Sequence, residues 1–239
     1  MSMQEPRRNI VLRNLANIVS ILGVLPICIL LREHGYQYLV PLILYNNVMD
    51  DLDGVLAAWL NIQSNFGALL DNVCDAIAHT VFVMVVGMHF AQQAGHPYLG
   101  GFCLASSLLA TVAMIVRVVA RIHPSSVPGT GSPTNELIRH ILFVLLVAPL
   151  FEFDPTPLLI AAFMMHAVSM LVPFKMPYLI RSLTKSAIAI GMVNVALIMA
   201  WLLPLAAPVV AASFVVTYLS SFAVGGFRWL RTADANRPR

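Results

Sequence analysis

The sequence predicts an all-α integral membrane protein, a polytopic bundle of eight transmembrane helices forming a single domain over residues 1–239. Of the 239 residues, 59% are hydrophobic and only 10% are charged, and the mean hydropathy is +0.82. Soluble domains carry about 25% charged residues, so this composition excludes a water-soluble globular fold. The three cysteines lie apart in apolar stretches without a CxxC pair, so we expect neither a disulfide framework nor a zinc site.

Eight apolar stretches approach the length of about 20 residues that crosses a bilayer as a helix. In chain order they cover residues 14–32, 37–60, 66–90, 98–120, 136–151, 156–173, 186–204 and 208–229. The fifth and sixth stretches are short. Six spans is therefore the alternative, if two of the weaker stretches lie at the membrane interface.

Polar or helix-breaking residues mark each boundary between these stretches. The first three joints read LREHGYQY, NIQSNF and AQQAGHPY. The fourth joint contains Pro124 and Pro128, and the fifth reads FEFDPTP. The sixth is basic, and the seventh reads PLAAP. Proline and glycine interrupt helices, so the positions of these residues agree with the helix boundaries that the hydropathy predicts.

Basic residues concentrate at alternate joints. The N-terminal segment carries Arg7, Arg8 and Arg13. The other joints on that side hold Arg121, His123 and Arg139, then Lys175, Arg181 and Lys185, then Arg228, Arg231, Arg237 and Arg239. Among the opposite joints, Arg32 is the one strong base. Because cytoplasmic loops are enriched in Lys and Arg, the pattern predicts an even number of spans with both termini in the cytoplasm.

The stretch DDLDGVLAAWLNIQSNFGALLDNVCD, from Asp50 to Asp75, places acids between two apolar helices. Asp50 and Asp53 are three residues apart, and Asp71 and Asp75 are four apart, so each pair shares one helical face. A hairpin folded about residue 62 would bring both pairs to matching depths. The four carboxylates are thus predicted to converge near the cytoplasmic headgroups. Asp51 lies off this face and is expected at the surface.

Four converging carboxylates repel one another unless cations or protons neutralise them. Hard oxygen ligands suit Mg²⁺, Mn²⁺ or Ca²⁺, and two ions held by shared carboxylates serve phosphoryl transfer. Gly54 and Gly67 leave room for a close approach of backbone or ligand. The alternatives are solvated loop carboxylates and the ion path of a transporter or channel. Acids gathered on one hairpin near one membrane face favour the metal site.

At these positions the stretch resembles the CDP-alcohol phosphotransferase (CDP-alcohol phosphatidyltransferase) family, whose motif reads D-x2-D-G-x2-A-R-x8-G-x3-D-x3-D. The matching residues are Asp50, Asp53, Gly54, Ala57, Gly67, Asp71 and Asp75. The preceding NLANIVSILGVLP is similar to that family's first apolar segment. The resemblance implies a helical membrane enzyme with a cytoplasm-facing site. Such an enzyme moves a substituted phosphate from a CDP-linked donor to an alcohol and releases CMP.

The resemblance also implies roles for individual residues. Two divalent ions, Mg²⁺ or Mn²⁺, would be held by Asp50, Asp53, Asp71 and Asp75. Asp75 would in addition act as general base on the acceptor hydroxyl. The CDP group would lie against Asp50, Gly54, Ala57 and Gly67.

One motif position departs from the family, because Ala58 stands where the family has an arginine that helps hold the donor's phosphates. Three bases are predicted on the same side of the membrane as the motif: Arg117, Arg121 and Lys175. They are the candidates for a cation that compensates for the missing arginine, or for a ligand of the acceptor or the phosphate. For Arg121 the alternative is a headgroup anchor. The alternative that this departure leaves open is that the chain is a family member that binds CDP-lipid without catalysing transfer.

Within the family, VRVVARIHPSSVPGTGSPTNELI and HAVSMLVPFKMPYLI are similar to segments of bacterial CDP-diacylglycerol–serine O-phosphatidyltransferases (phosphatidylserine synthases). That branch implies CDP-diacylglycerol as donor, L-serine as acceptor and the bacterial inner (cytoplasmic) membrane as location. Phosphatidylcholine synthases are the alternative, since eight spans suit both. Small-residue stretches such as AAPVVAAS suit close packing of helices, either within one chain or between two chains, so a homodimer is one alternative.

Histidines give a weaker signal. His79 lies four residues after Asp75 on the same helical face, so it could orient that carboxylate. His123, His140 and His166 lack a metal-ligand spacing and are expected as packed or loop residues.

Overall fold

The computed structural model describes residues 10–122, 131–179 and 186–235, and within these ranges the chain is all-helical, without strands. The α-helices are α1 Ile10–Arg13, α2 Leu15–Val24, α3 Leu39–Trp59, α4 Asn65–Gln93, α5 Pro97–Ile122, α6 Thr134–Phe151, α7 Thr156–Leu171, α8 Ala187–Leu202 and α9 Ala207–Ala235. Short 3₁₀ helices cover Leu25–Leu31, Gly35–Tyr38 and Pro204–Ala206. The joint residues Arg7, Arg8, His123, Pro124, Pro128, Arg181, Lys185, Arg237 and Arg239 lie outside the described ranges.

Four described helices are long and apolar enough to cross a membrane. They are Asn65–Gln93, Pro97–Arg121, Thr134–Phe151 and Pro204–Thr232. Helix α3 has 21 residues but carries three aspartates, and Leu15–Leu31, α7 and α8 are shorter apolar helices. Each predicted stretch therefore contains a helix, and the all-helical membrane architecture is confirmed. The count of eight spans stays a prediction.

The first predicted stretch is not one continuous α-helix. Helix α2 ends at Val24, and a 3₁₀ helix follows with Pro26 near its start. Proline cannot donate the backbone hydrogen bond that an α-helix requires, which explains the change of helix type. His34, with a left-handed φ of 59°, then turns the chain toward the next 3₁₀ helix.

Helix α6 is the centre of the bundle. All ten residues 134–143 on it are buried, and it contacts α3, α4, α7 and α9. Outside α6, α4 packs against α2 and α5, and α5 packs against α7. Phe82, Met114 and Phe163 are fully enclosed in the apolar core. A helix enclosed on all sides must satisfy its polar side chains within the protein, and α6 begins with several of them.

Several helix ends meet at one end of the bundle, which we call the acidic end. Asn135 at the start of α6 reaches Asp50 on α3. Ser132 just before α6 donates its backbone N–H to the carbonyl of Ser169 near the end of α7, at 2.9 Å. The α3–α4 hairpin turns at this same end. Polar groups from different parts of the sequence are thereby gathered around the aspartates.

Candidate metal centre

Three of the predicted aspartates come together. Asp50, Asp53 and Asp71 each offer a carboxylate oxygen such that the three atoms lie within 4.8 Å of one another. Asp50 and Asp53 are buried, and Asp71 is half-buried. We call these three residues the acidic cluster.

The local sequence of the hairpin sets this geometry. Helix α3 ends at Trp59, and Asn61 takes a left-handed φ of 50° in the turn. Ser64 caps α4, because its Oγ accepts a 3.0 Å hydrogen bond from the N–H of Gly67. Asparagine tolerates the left-handed region and serine is a preferred N-cap, so the turn is encoded locally.

Two side chains from other helices hold the acidic cluster. Ser20 on α2 donates its hydroxyl to Oδ2 of Asp53. Asn135 on α6 donates its amide to Oδ2 of Asp50 at 2.8 Å. The sequence reasoning missed both donors. The only available signal was their type, since polar residues within apolar helices are functional candidates.

Asp75 is the fourth predicted ligand, and it lies outside the group of three. Its side chain is 18% exposed, and its Oδ1 lies 4.0 Å from Nε2 of His79 one turn further along α4. The other ring nitrogen of His79, Nδ1, lies 2.9 Å from Oγ1 of Thr134. The structure therefore agrees with the expectation that His79 faces Asp75, and it adds Thr134 as the partner behind the imidazole.

The predicted nucleotide-contacting positions differ in the space around them. A Cβ added to Gly54 would meet nothing within 4 Å, so the α3 surface is open there. A Cβ added to Gly67 would lie 3.0 Å from Oδ1 of Asn17, so Gly67 permits a close contact between α4 and α2. Ala57 is half-buried and Ala58 is exposed on the last turn of α3. A larger side chain at position 58 would extend into solvent or headgroups.

Among the three candidate bases, Arg121 reaches the hairpin. Arg121 is exposed at the end of α5, and its Nη1 lies 3.5 Å from Oδ1 of Asn72, the residue after Asp71. Arg117 is buried, and its Nη1 donates to the carbonyl of Met170 at 3.2 Å. Lys175 is exposed beyond α7. The fold thus brings Arg121 against the hairpin that carries the acidic cluster.

The expectation for Asp51 was wrong. Asp51 is only 5% exposed, and Nδ2 of Asn194 on α8 donates to its Oδ2 at 2.8 Å. Asn47 lies 3.4 Å from the same oxygen and 2.6 Å from Oδ1 of Asn194. Helix α8 therefore packs against the Asp51 side of α3.

Arg139, which was counted among the basic residues of a joint, lies within helix α6 instead. Arg139 is buried on α6 and forms a 2.9 Å ion pair with Glu136 one turn earlier. Its Nε donates to Oδ1 of Asn47 at 3.3 Å, which joins it to the Asp51 contacts. A charge inside an apolar bundle needs such a partner, and Glu136 supplies it.

His140 and His166 are packed in the interior. Nδ1 of His140 lies 2.6 Å from the carbonyl of Glu136, and Nδ1 of His166 lies 3.1 Å from the hydroxyl of Tyr218. The two imidazole centroids are 4.9 Å apart. Both residues are buried between helices α6, α7 and α9, as expected for packed histidines.

The donor set of the acidic cluster fits a divalent cation. All three residues offer carboxylate oxygens, the ligand type that Mg²⁺, Mn²⁺ and Ca²⁺ prefer. Ser20 and Asn135 orient two of the carboxylates as neutral outer partners, the usual arrangement around metal ligands. The open surface at Gly54 gives a phosphate access to the same place.

Comparison with known proteins agrees with this chemistry. The model of a family described as CDP-alcohol phosphatidyltransferase matches residues 11–174, more than half of the chain. The matched range contains helices α2 to α7 and the whole hairpin, and α8 and α9 lie beyond it. No curated protein matches the chain at a significant level.

Proposed function

The chain belongs to the CDP-alcohol phosphatidyltransferase family, and from this premise we propose that it transfers a phosphatidyl group from CDP-diacylglycerol to a small acceptor alcohol and releases CMP. The observation that carries the proposal is the acidic cluster, in which Asp50, Asp53 and Asp71 meet within 4.8 Å. The reaction is a step of phospholipid biosynthesis, which is what the family membership supports.

The aspartates are the proposed metal ligands. Asp50, Asp53 and Asp71, with Asp75 at their edge, would hold Mg²⁺ or Mn²⁺, and two ions suit four carboxylates. When bound, a divalent ion neutralises the diphosphate and the charge that develops on the leaving CMP. Asp50 accepts from Asn135 and Asp53 accepts from Ser20, so both carboxylates are already oriented.

Asp75 is the proposed general base. Its partly exposed carboxylate takes the proton of the acceptor hydroxyl, and the resulting oxygen attacks the phosphorus that bears diacylglycerol. A new P–O bond forms to the acceptor. The P–O bond to CMP breaks, and CMP leaves with the electron pair. His79 lies beside Asp75 on the same face of α4.

The donor is proposed to lie over the open face of α3. The cytidine and diphosphate would contact Asp50, Gly54, Ala57 and the Gly67 region, with the acyl chains in the lipid. Position 58 supplies no cation, and Arg121 beside Asn72 is the proposed substitute for the family arginine. Arginine is suited to this role because it binds phosphate with two parallel hydrogen bonds.

The proposed acceptor is L-serine, which would make the product phosphatidylserine. The support is the similarity of the α5–α6 and α7 segments to bacterial phosphatidylserine synthases. Arg117 and Lys175 stay as candidate ligands for the acceptor or the phosphate. Choline, as in phosphatidylcholine synthases, is the alternative acceptor.

Alanine at position 58 favours a second candidate function, a protein that binds CDP-lipid without catalysis. Its binding site would be the same, but turnover would be absent. A transporter has less support, because the aspartates of the cluster sit on one hairpin at one end of the bundle rather than along a path through it.

The proposed setting is the bacterial inner membrane, with the acidic end and both termini facing the cytoplasm. Basic residues at the joints on that side support the orientation. The small residues of α9 suit packing against a second copy, so a homodimer is part of the proposal.

The test is CMP release by the purified protein in lipid nanodiscs. The protein receives CDP-diacylglycerol with Mn²⁺ or Mg²⁺ and one acceptor at a time: L-serine, choline, inositol, glycerol phosphate or none. We expect metal-dependent CMP release with L-serine and its loss with EDTA. Absence of CMP with every acceptor would overturn the enzyme function. Retained binding of CDP-diacylglycerol would then support the non-catalytic binder.

A further inference from the structure

The first turn of α6 stands between the two acid-bearing helices. Thr134 contacts His79 on α4, and Asn135 contacts Asp50 on α3. Thr134 Oγ1 and Asn135 Oδ1 are 3.5 Å apart. A continuous line of polar side chains therefore runs from Asp75 through α6 to Asp50.

We propose that His79, Thr134 and Asn135 form a positioning bridge that holds the Asp75 carboxylate in a fixed relation to the acidic cluster. The proposal rests on the function proposed above, since it assigns Asp75 to the base and Asp50 to the metal. None of the three bridge residues belongs to the family motif. Their role would be specific to the way in which this chain places α6.

Burial supports the bridge. His79 is 2% exposed, and Thr134 and Asn135 are also buried. Buried polar side chains in native proteins have partners, because an unsatisfied buried donor or acceptor costs about 1–3 kcal/mol. The bridge residues satisfy this requirement through one another and through the aspartates.

The direction of the hydrogen bonds follows from the Thr134 hydroxyl, which carries one proton. The hydroxyl donates to Oδ1 of Asn135 across 3.5 Å, so at the 2.9 Å contact it accepts from an N–H at Nδ1 of His79. Thr134 thus fixes the orientation of the imidazole ring, in which Nε2 faces Asp75.

The distance of 4.0 Å from Nε2 to Asp75 Oδ1 exceeds an ordinary hydrogen bond. The contact is electrostatic, and it orients the Asp75 carboxylate relative to the imidazole ring. Asn135 differs, since its 2.8 Å bond fixes Asp50 directly.

The two ends of the bridge predict different losses. Asn135 acts on a metal ligand, so Asn135→Ala should weaken Mn²⁺ binding about 10-fold or more, the usual effect of removing an outer partner of a metal ligand. Thr134 and His79 act on Asp75, which is the proposed base and lies at the edge of the metal ligands. Thr134→Val should lower kcat about 10-fold or more with little change in KM, and Thr134→Ser, which keeps the hydroxyl, should restore it.

A matched control exists for Asn135. Asn194 also donates an amide hydrogen bond of 2.8 Å to an enclosed aspartate, Asp51, which lies outside the acidic cluster. Asn194→Ala removes the same kind of bond and should leave Mn²⁺ affinity unchanged.

At His79 the matched pair is His79→Gln, which places an amide near the position of Nε2, and His79→Asn, which places an amide near the position of Nδ1. The glutamine variant should retain the higher kcat.

The experiment measures Mn²⁺ affinity on each purified variant without substrate, and kcat and KM by CMP release. Equal Mn²⁺ affinities for Asn135→Ala and Asn194→Ala, or a wild-type kcat in Thr134→Val, would overturn the bridge. If the Asn135→Ala variant does not fold, the Mn²⁺ titration is repeated with Asn135→Ser, which keeps a polar side chain at this position. A wild-type protein inactive with every acceptor would contradict the proposed function, while the Mn²⁺ titrations would still decide the Asn135 end of the bridge.

Discussion

Ser20 on α2 donates a hydrogen bond to the carboxylate of Asp53 on α3, across 33 positions of sequence. This bond ties the first apolar helix to the acidic cluster. Asp53 therefore depends on a segment that contributes no carboxylate of its own. The ligand geometry is set by the packing of α2 on the hairpin as well as by the hairpin itself.

We expect Ser20→Ala to weaken Mn²⁺ binding about 10-fold, because the Asp53 carboxylate loses the donor that orients it. Ser213→Ala is the control, since that exposed hydroxyl donates to the carbonyl of Val209 on its own helix. The measurement is a Mn²⁺ titration of the purified proteins. Identical affinities in the two variants would contradict a role for Ser20.

Asp75→Asn should lower kcat for CMP release about 10²–10⁴-fold, the usual contribution of a general base. The amide is nearly the same size, so folding and membrane insertion should be unaffected. Glu33→Gln, a highly exposed carboxylate outside the acidic end, is the control and should keep full activity. Full turnover by the Asp75→Asn protein would exclude Asp75 as the base.

Ala58→Arg should lower the KM for CDP-diacylglycerol about 10-fold, because a charge-assisted hydrogen bond to phosphate contributes about 1.5–3 kcal/mol. Ala58 is exposed, so the longer side chain has room. Ala58→Gln has similar reach without the charge, and it should leave KM near the wild-type value. Equal KM values for the two variants would show that the donor's phosphates lie elsewhere.

Asn194→Ala should lower the thermal unfolding midpoint without changing KM for either substrate. The variant removes the 2.8 Å donor to the buried Asp51, and a weakened buried acceptor costs about 1–3 kcal/mol. Met192→Ala, exposed on the same helix, is the control. The readout is thermal unfolding in nanodiscs. An unchanged midpoint would mean that Asn194 contributes nothing to stability.

The sequence allowed the helical membrane architecture and the hairpin to be predicted, because both depend on local patterns. Apolar length identifies the helices, and spacings of three and four residues align Asp50 with Asp53 and Asp71 with Asp75. Three of these four meet in the structure. The roles assigned to them stay predictions.

The long-range partners were not accessible from local patterns. Asn135 lies 85 positions from Asp50, and Thr134 lies 55 positions from His79. Their proximity depends on how α6 packs between α3 and α4, which periodicity does not encode. The buried position of Asp51 is not predictable for the same reason, because it depends on the packing of α8 against α3.

The bond between Asn194 and Asp51 also limits where this protein can be divided. The family match ends at residue 174, and Asn194 lies beyond it on α8. A chain shortened to the matched segment would retain every motif aspartate, but the Asp51 carboxylate would lose that donor and the helix that packs beside it. The smallest piece suitable for recombinant expression or for a chimera must therefore extend through α8.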